Sequence, residues 1–160
     1  MKISEEKFEY VYTEFAKELL SIAFGYTKNK DDSIDIMQNA YVALLNSNKN
    51  FDSDEHIKYF LIRVVINESI NHIKKYQNKK EIKNNDYVFN VPERKKEDIP
   101  YDLSEIVYKL PEKYKTIIIL HYYDEMKIKD ISTILKISES AVKKRLERGR
   151  NLIKEIIERN

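Results

Sequence analysis

Apolar side chains return every three or four residues through most of this 160-residue chain, and that spacing constrains the fold more than any other feature. An α-helix turns once in about 3.6 residues, so side chains three and four apart share a face, whereas a strand would alternate with period two. Phe8, Val11, Phe15, Leu19, Ile22 and Tyr26 make the first stripe, which fades between Gly25 and Lys30. A second follows in Ile34, Met37, Tyr41 and Leu44, in a segment where Asp31 or Asp32 can accept the free N–H groups of a helix start. The polar cluster FDSDEH then opens a third helix running to about Tyr76, whose Phe60, Leu61, Val64 and Val65 cover a wide arc. Three amphipathic helices of this length can enclose a core of their own, so residues 1–76 are expected to form one lobe.

The periodicity stops at Gln77. Residues 77–100, QNKKEIKNNDYVFNVPERKKEDIP, are charged, rich in Asn and Lys, and contain two prolines, which is the composition of a linker. Beyond it, YDLSEIVYKL reads as a short amphipathic helix. LPEKYKTIIILHYYDE reads as a longer one, with Pro111 in its first turn and Ile117, Ile118 and Leu120 on its apolar side. Residues 101–160 are therefore expected to be a second helical lobe. The fold class is all-α: two small, independently folded helical domains joined by a flexible linker.

Within the second lobe, ISTILKISESAVKKRLERGR holds two amphipathic helices that meet at LKIS with neither glycine nor proline between them. Ser138 can cap the later helix, and Ile131, Ile134 and Leu135 can meet Val142, Leu146 and Leu152 across the corner. A three-residue turn between steeply angled helices is the helix-turn-helix plan, which offers its second helix to the major groove. One residue in such a turn takes a left-handed backbone, and Lys136 falls there at a cost of about 1 kcal/mol. With Val142 and Leu146 turned inward, the outward face carries Ser140, Lys143, Lys144, Glu147 and Arg148. Residues 136–150 hold six basic and two acidic side chains although the whole chain carries only +2, so positive charge is concentrated where a polyanion would meet it. Gly149 is expected at a close backbone approach.

Composition removes several function classes. There is no cysteine, hence no disulfide, thiolate metal site or cysteine nucleophile. Two glycines, Gly25 and Gly149, cannot build a phosphate-cradling loop. His56, His72 and His121 are far apart with no metal-ligand spacing. No catalytic or metal constellation is present, and no enzyme activity or cofactor is expected. The acidic N-terminus and the lack of an 18-residue apolar run point to a cytoplasmic protein with no membrane insertion.

The residues now in hand resemble bacterial RNA polymerase sigma factors of the sigma-70 type, in the small extracytoplasmic-function (ECF) group that keeps only conserved regions two and four. DSIDIMQNAYVALL is similar to the family's acidic, glutamine-bearing region 2.2 helix. YFLIRVVINESINHIKK is similar to its region 2.3 and 2.4 helix, with Phe60 at an aromatic position and Arg63 and Asn67 matching a basic residue and an asparagine. LPEKYKTIIILHYYDEMKIKDISTIL and ISESAVKKRLERGRNLIKE resemble region four through its promoter-reading helix. The four segments stand in the family's order and leave out only the linker.

The resemblance implies partners and sites. Asp35, Gln38 and Asn39 share a helix face that the family docks on the clamp helices of core RNA polymerase, with the flap as a further contact; Asn39 departs from the acidic residue usual there. Tyr59, Arg63, Asn67, Asn71 and Lys75 recur every four residues as a stripe of aromatic, basic and amide groups. Such a stripe suits unstacked bases and phosphates, and by the resemblance the first lobe is expected to melt the minus-10 promoter element. The loop NSNKNFDSDEH would capture a flipped base. Ser140, Lys143, Lys144, Glu147 and Arg148 would read the minus-35 duplex. The 24-residue linker spans roughly 27 Å as a coil and about 80 Å fully extended, against the roughly 34 Å or more that separates two promoter elements. The polymerase would hold it stretched. Promoter DNA and core polymerase are the implied partners, and an anti-sigma factor is a further one. A stand-alone helix-turn-helix regulator is the alternative, but it would want a dimer seam and no long heptad pattern exists. A helical interaction protein without a DNA role is opposed by the charge at the corner.

Overall fold

Each helix of the first lobe begins on a side chain that takes up a free backbone donor. Ser4 accepts from Lys7 N at 3.1 Å, Asn29 from Asp32 N at 2.9 Å, and Ser53 from His56 N at 3.2 Å. The computed structural model describes residues 3–82 and 103–159, with side chains for 3–76 and 105–159. Helices α1 (Glu5–Thr27), α2 (Lys30–Asn46) and α3 (Asp54–Ile82) form the first lobe; α4 (Leu103–Lys109), α5 (Glu112–Ile118), α6 (Ile128–Leu135) and α7 (Glu139–Arg159) form the second. A π-helical turn, Ile119–Tyr123, continues α5. All regular elements among the described residues are helical, as the spacing requires.

Three local expectations change. The second helix is capped by Asn29 rather than by Asp31 or Asp32, which occupy its first turn and complement the positive end of the helix dipole there. Pro111 sits at the N-cap of α5 rather than inside its first turn. Helix α3 runs to Ile82, into the stretch expected to be linker, because Gln, Lys and Glu are good helix formers even without an apolar stripe. The remainder of the expected linker, residues 83–100, lies outside the described residues.

The stripes meet as the spacing implies. Val11, Leu19, Ile22 and Tyr26 of α1 are buried against Met37, Tyr41 and Leu44 of α2 and against Leu61, Ile62 and Val65 of α3. Burying side chains of this size stabilises by about 1.5–3 kcal/mol each. In the second lobe Ile117, Ile118, Ile131, Ile134, Val142 and Leu146 are buried together. A Cβ on Gly149 would lie 3.2 Å from Ile118, so α7 approaches α5 closely at that point.

The lobes are not separated by solvent. α1 touches the π-helical turn and α4, α3 touches α6, and the buried residues of the two halves form one continuous cluster. The two helical domains expected from the sequence are present, and they are docked along a seam rather than held apart by the linker. The apolar run of residues 117–120 is buried on every side of its helix, so it takes cover from both lobes. A Cβ on Gly25 would lie 3.1 Å from Ile119.

Candidate nucleic-acid interface

The corner between α6 and α7 is built by local hydrogen bonds. Lys136 takes the left-handed conformation, φ 58° and ψ 43°, and its N–H bonds the Ser132 carbonyl. Ser132 Oγ donates to the Ile137 carbonyl at 2.6 Å, and Ile137 N donates back to the Ser132 carbonyl at 3.2 Å. Ser138 Oγ then accepts from Ala141 N at 3.0 Å, capping α7. Ile131, Ile134, Val142 and Leu146 close the angle from inside, with Leu135 and Leu152 half-buried beside them. The turn geometry that the sequence implied is formed.

Ser140, Lys143, Lys144, Glu147 and Arg148 are all exposed on the outer side of α7. Arg150, in the same basic run, donates to the Tyr122 hydroxyl at 2.9 Å, tying it to its own lobe. A rigid helix face with three cations is suited to phosphates and base edges of a duplex, and each phosphate neutralised releases counterions.

The α3 stripe is graded. Asn67, Asn71 and Lys75 are exposed, Arg63 is half-buried, and Tyr59 is buried. Tyr59 bonds Glu55 Oε1 at 2.7 Å, and with Asp130 of α6 also against it the phenol is pushed above its usual range, chiefly by burial. In this arrangement the Tyr59 ring is not open to a base, because α6 rests on α3. Arg63 Nε is buried with no acceptor, so the guanidinium holds an unused donor. Phe60 stacks edge-on with Phe51 of the preceding loop at 5.4 Å, with Lys49 Nζ 5.3 Å from its centre.

Asp35, Gln38 and Asn39 are exposed together on α2, on the side away from the buried stripe. Asn39 Nδ2 donates to Glu68 Oε1 of α3 at 3.0 Å, which holds that amide in place.

Sequence reasoning missed the seam. Tyr26 and Thr116 share a buried hydroxyl–hydroxyl hydrogen bond across it. Lys115 is buried with its Nζ 5.9 Å from the Tyr26 ring and 5.0 Å from the Tyr108 ring, and burial lowers its pKa. Lys58 of α3 bonds Glu18 of α1 at 3.1 Å, and Asp124 at the end of the π-helical turn lies against the same pair. Burial, then the Glu18 carboxyl, pushes Asp124 up to about 8, while Lys58 opposes the rise. The one available signal was the IIIL run of residues 117–120, apolar on every side of its helix and so in need of a second surface to cover it.

Two family models match this chain, "Sigma-70 region 2" over residues 11–79 and "Sigma-70, region 4" over residues 102–153. With those matches and the helix-turn-helix geometry together, the chain belongs to the sigma-70 family, in its ECF group, and directs RNA polymerase to specific promoters to initiate transcription. It is similar to the RNA polymerase sigma factor SigV of Bacillus subtilis (strain 168), 29% identical over 143 residues that cover 89% of this chain and 86% of SigV. The ECF RNA polymerase sigma factor SigW of the same organism is 24% identical over 175 residues, covering 96% of this chain and 90% of SigW. Among solved structures, the sigma factor RpoE in complex with the anti-sigma factor NepR from Bartonella quintana superposes with a TM-score of 0.70 at 18% identity, covering 96% of this chain and 98% of that one. CnrH in complex with the cytosolic domain of CnrY gives 0.72 at 16% identity, covering 98% and 91%. Among the described residues no helix is long and apolar enough to cross a membrane.

Proposed function

We propose a division of labour between the lobes. The first lobe, residues 1–76, holds core polymerase through Asp35, Gln38 and Asn39 and opens the minus-10 element with Arg63, Asn67, Asn71 and Lys75, joined by Tyr59 once α6 has moved away. Residues 77–100 span the promoter spacer. The second lobe, residues 101–160, reads the minus-35 duplex, with Lys143, Lys144 and Arg148 on phosphates and guanine edges and Ser140 and Glu147 on neighbouring donors. The clamp helices and flap of the polymerase are the protein partners.

One observation carries this reading: an exposed cationic face on α7 stands directly behind a formed, Ser138-capped helix-turn-helix corner. The factor acts in the cytoplasm, as a detachable specificity subunit with no catalysis of its own. In the solved structures the sigma factor RpoE is in complex with the anti-sigma factor NepR, and CnrH with the cytosolic domain of CnrY, which supports an anti-sigma partner here as well. Run-off transcription with core polymerase and fragments of the source genome tests the whole assignment. Promoter-specific transcripts are expected only when both proteins are present; tight specific duplex binding by the chain alone, with no polymerase-dependent transcript, would instead support a stand-alone regulator.

A further inference from the structure

We propose that Glu147 is a specificity-determining residue of the α7 face: its carboxylate accepts a hydrogen bond from the N4 amino group of a cytosine in the minus-35 duplex. The proposal rests on the reading that α7 enters the major groove of that duplex.

Two acidic side chains stand among six basic ones in residues 136–150, and their situations differ. Glu139 lies in the first turn of α7, where a negative charge complements the helix dipole. Glu147 lies about two turns further on, beyond the reach of that effect. The ordinary role of a glutamate on an exposed helix is an ion pair with a cation three or four residues away, and Lys144 and Lys143 stand at those places. Neither pair is formed. Among the described residues Glu147 makes no ion pair or hydrogen bond, and it is exposed.

Its place on the helix decides what it can meet. At about 100° per residue, Ser140 and Glu147 fall within about 20° of one line along α7, with Lys143 to one side of that line and Lys144 and Arg148 to the other. A helix lying in the major groove turns its central line to the base edges and its flanks to the phosphates at the rims. The flanking cations therefore match the phosphates, and the carboxylate between them faces the floor of the groove. An anion there needs a donor. Guanine presents two acceptors, thymine an acceptor beside a methyl group, and adenine an amino group next to an N7 acceptor that repels a carboxylate. Cytosine alone presents an amino donor with no acceptor beside it. The guanine paired with that cytosine offers O6 and N7 to Lys144 or Arg148, so the pair is contacted on both bases.

The test uses holoenzyme assembled with the full chain and a promoter recovered by the run-off assay, with all four base pairs placed in turn at each position of the minus-35 element. Competition binding gives a base profile for each position. The expected result is one position that prefers C over the other three bases by roughly five- to a hundredfold, the range for one mismatched pair, with G the worst. Glu147→Gln should move the preference at that position alone to A, since an amide both accepts and donates on the adenine edge. Glu147→Ala should level the four bases there and at the same time raise affinity for promoter-free duplex, because an anion has been removed from among the phosphate-facing cations. Lost folding would produce neither signature, and Gln and Ala are good helix formers. Profiles that neither variant alters at any position, or an altered position at which the unsubstituted factor prefers A, G or T, overturn the assignment. Lys143→Ala and Arg148→Ala separate the two levels of the reading. If they weaken promoter binding while both Glu147 variants leave the profile unchanged, only the role of Glu147 falls. If all four variants leave affinity and profile unchanged, the minus-35 reading of α7 falls with it.

Discussion

The outer face of α7 and the stripe on α3 are similar in chemistry but differ in access. Each is a helix surface of cations and hydrogen-bonding side chains, yet all five residues of the α7 face are exposed while the α3 stripe runs from buried Tyr59 through half-buried Arg63 to exposed Lys75. The two helices differ in what lies opposite them. Among the described residues nothing covers α7 on its outer side, whereas α6 rests on the first half of α3. A duplex can therefore be met by the second lobe as it stands. The first lobe needs the second to move before its whole stripe is available.

The strongest way to break this comparison is to destroy one face by unfolding its support. Leu146→Ala removes a side chain that is 3% exposed from behind the α7 face, and should cost roughly 2–5 kcal/mol in thermal unfolding followed by circular dichroism. Duplex binding should be lost with it. A change below about 1 kcal/mol would mean that the helix-turn-helix is not held from inside by this residue.

Direct substitutions sharpen the comparison. Arg148→Ala in the holoenzyme should cost about 1–3 kcal/mol at a minus-35 site if the guanidinium reads a base, and Lys143→Ala should lower the salt dependence of binding by about one unit if the ammonium meets a phosphate. Arg63→Ala should leave both quantities unchanged, because it lies on the other lobe.

Smaller effects test the caps of the two helices. Ser138→Ala and Ser53→Ala each delete the hydroxyl that accepts the first free N–H, Ala141 N in one case and His56 N in the other. Each should cost about 1 kcal/mol in chemical denaturation. The smallest expected effect runs the other way: Lys136→Gly relieves a left-handed side-chain residue, φ 58°, and should stabilise the second lobe by less than about 1 kcal/mol.

What the sequence made legible was mostly local. Lys136, Ser138 and Gly149 could be placed because a left-handed turn residue, a cap and a close helix approach leave their mark within a few residues of themselves. The apolar stripes likewise announced which sides of α1, α2 and α7 would be buried. The sequence points to Asp31 or Asp32 rather than to Asn29 as the cap of α2 because all three are polar residues at one helix start, and Asp31 and Asp32 do belong at its positive end. The extension of α3 to Ile82 was hidden because helix propensity persists after the apolar stripe ends. The seam was hidden for a different reason. Tyr26 and Thr116 are ninety residues apart, and no periodicity in either segment refers to the other. Tyr59 shows the consequence at the candidate site: its place on the stripe could be read from spacing, but its burial depends on a helix from the far end of the chain.

The division of labour is tested most directly by one crossed measurement on holoenzyme. Lys143→Ala with Arg148→Ala, and Arg63→Ala with Asn67→Ala, are each scored for protection of duplex promoter DNA and for permanganate reactivity of thymines around the minus-10 element. The first pair should weaken protection over minus-35 while strand opening persists on DNA that is still bound. The second pair should keep minus-35 protection and lose the reactive thymines. If both pairs depress both signals equally, the two lobes do not meet separate stretches of promoter and the account is wrong.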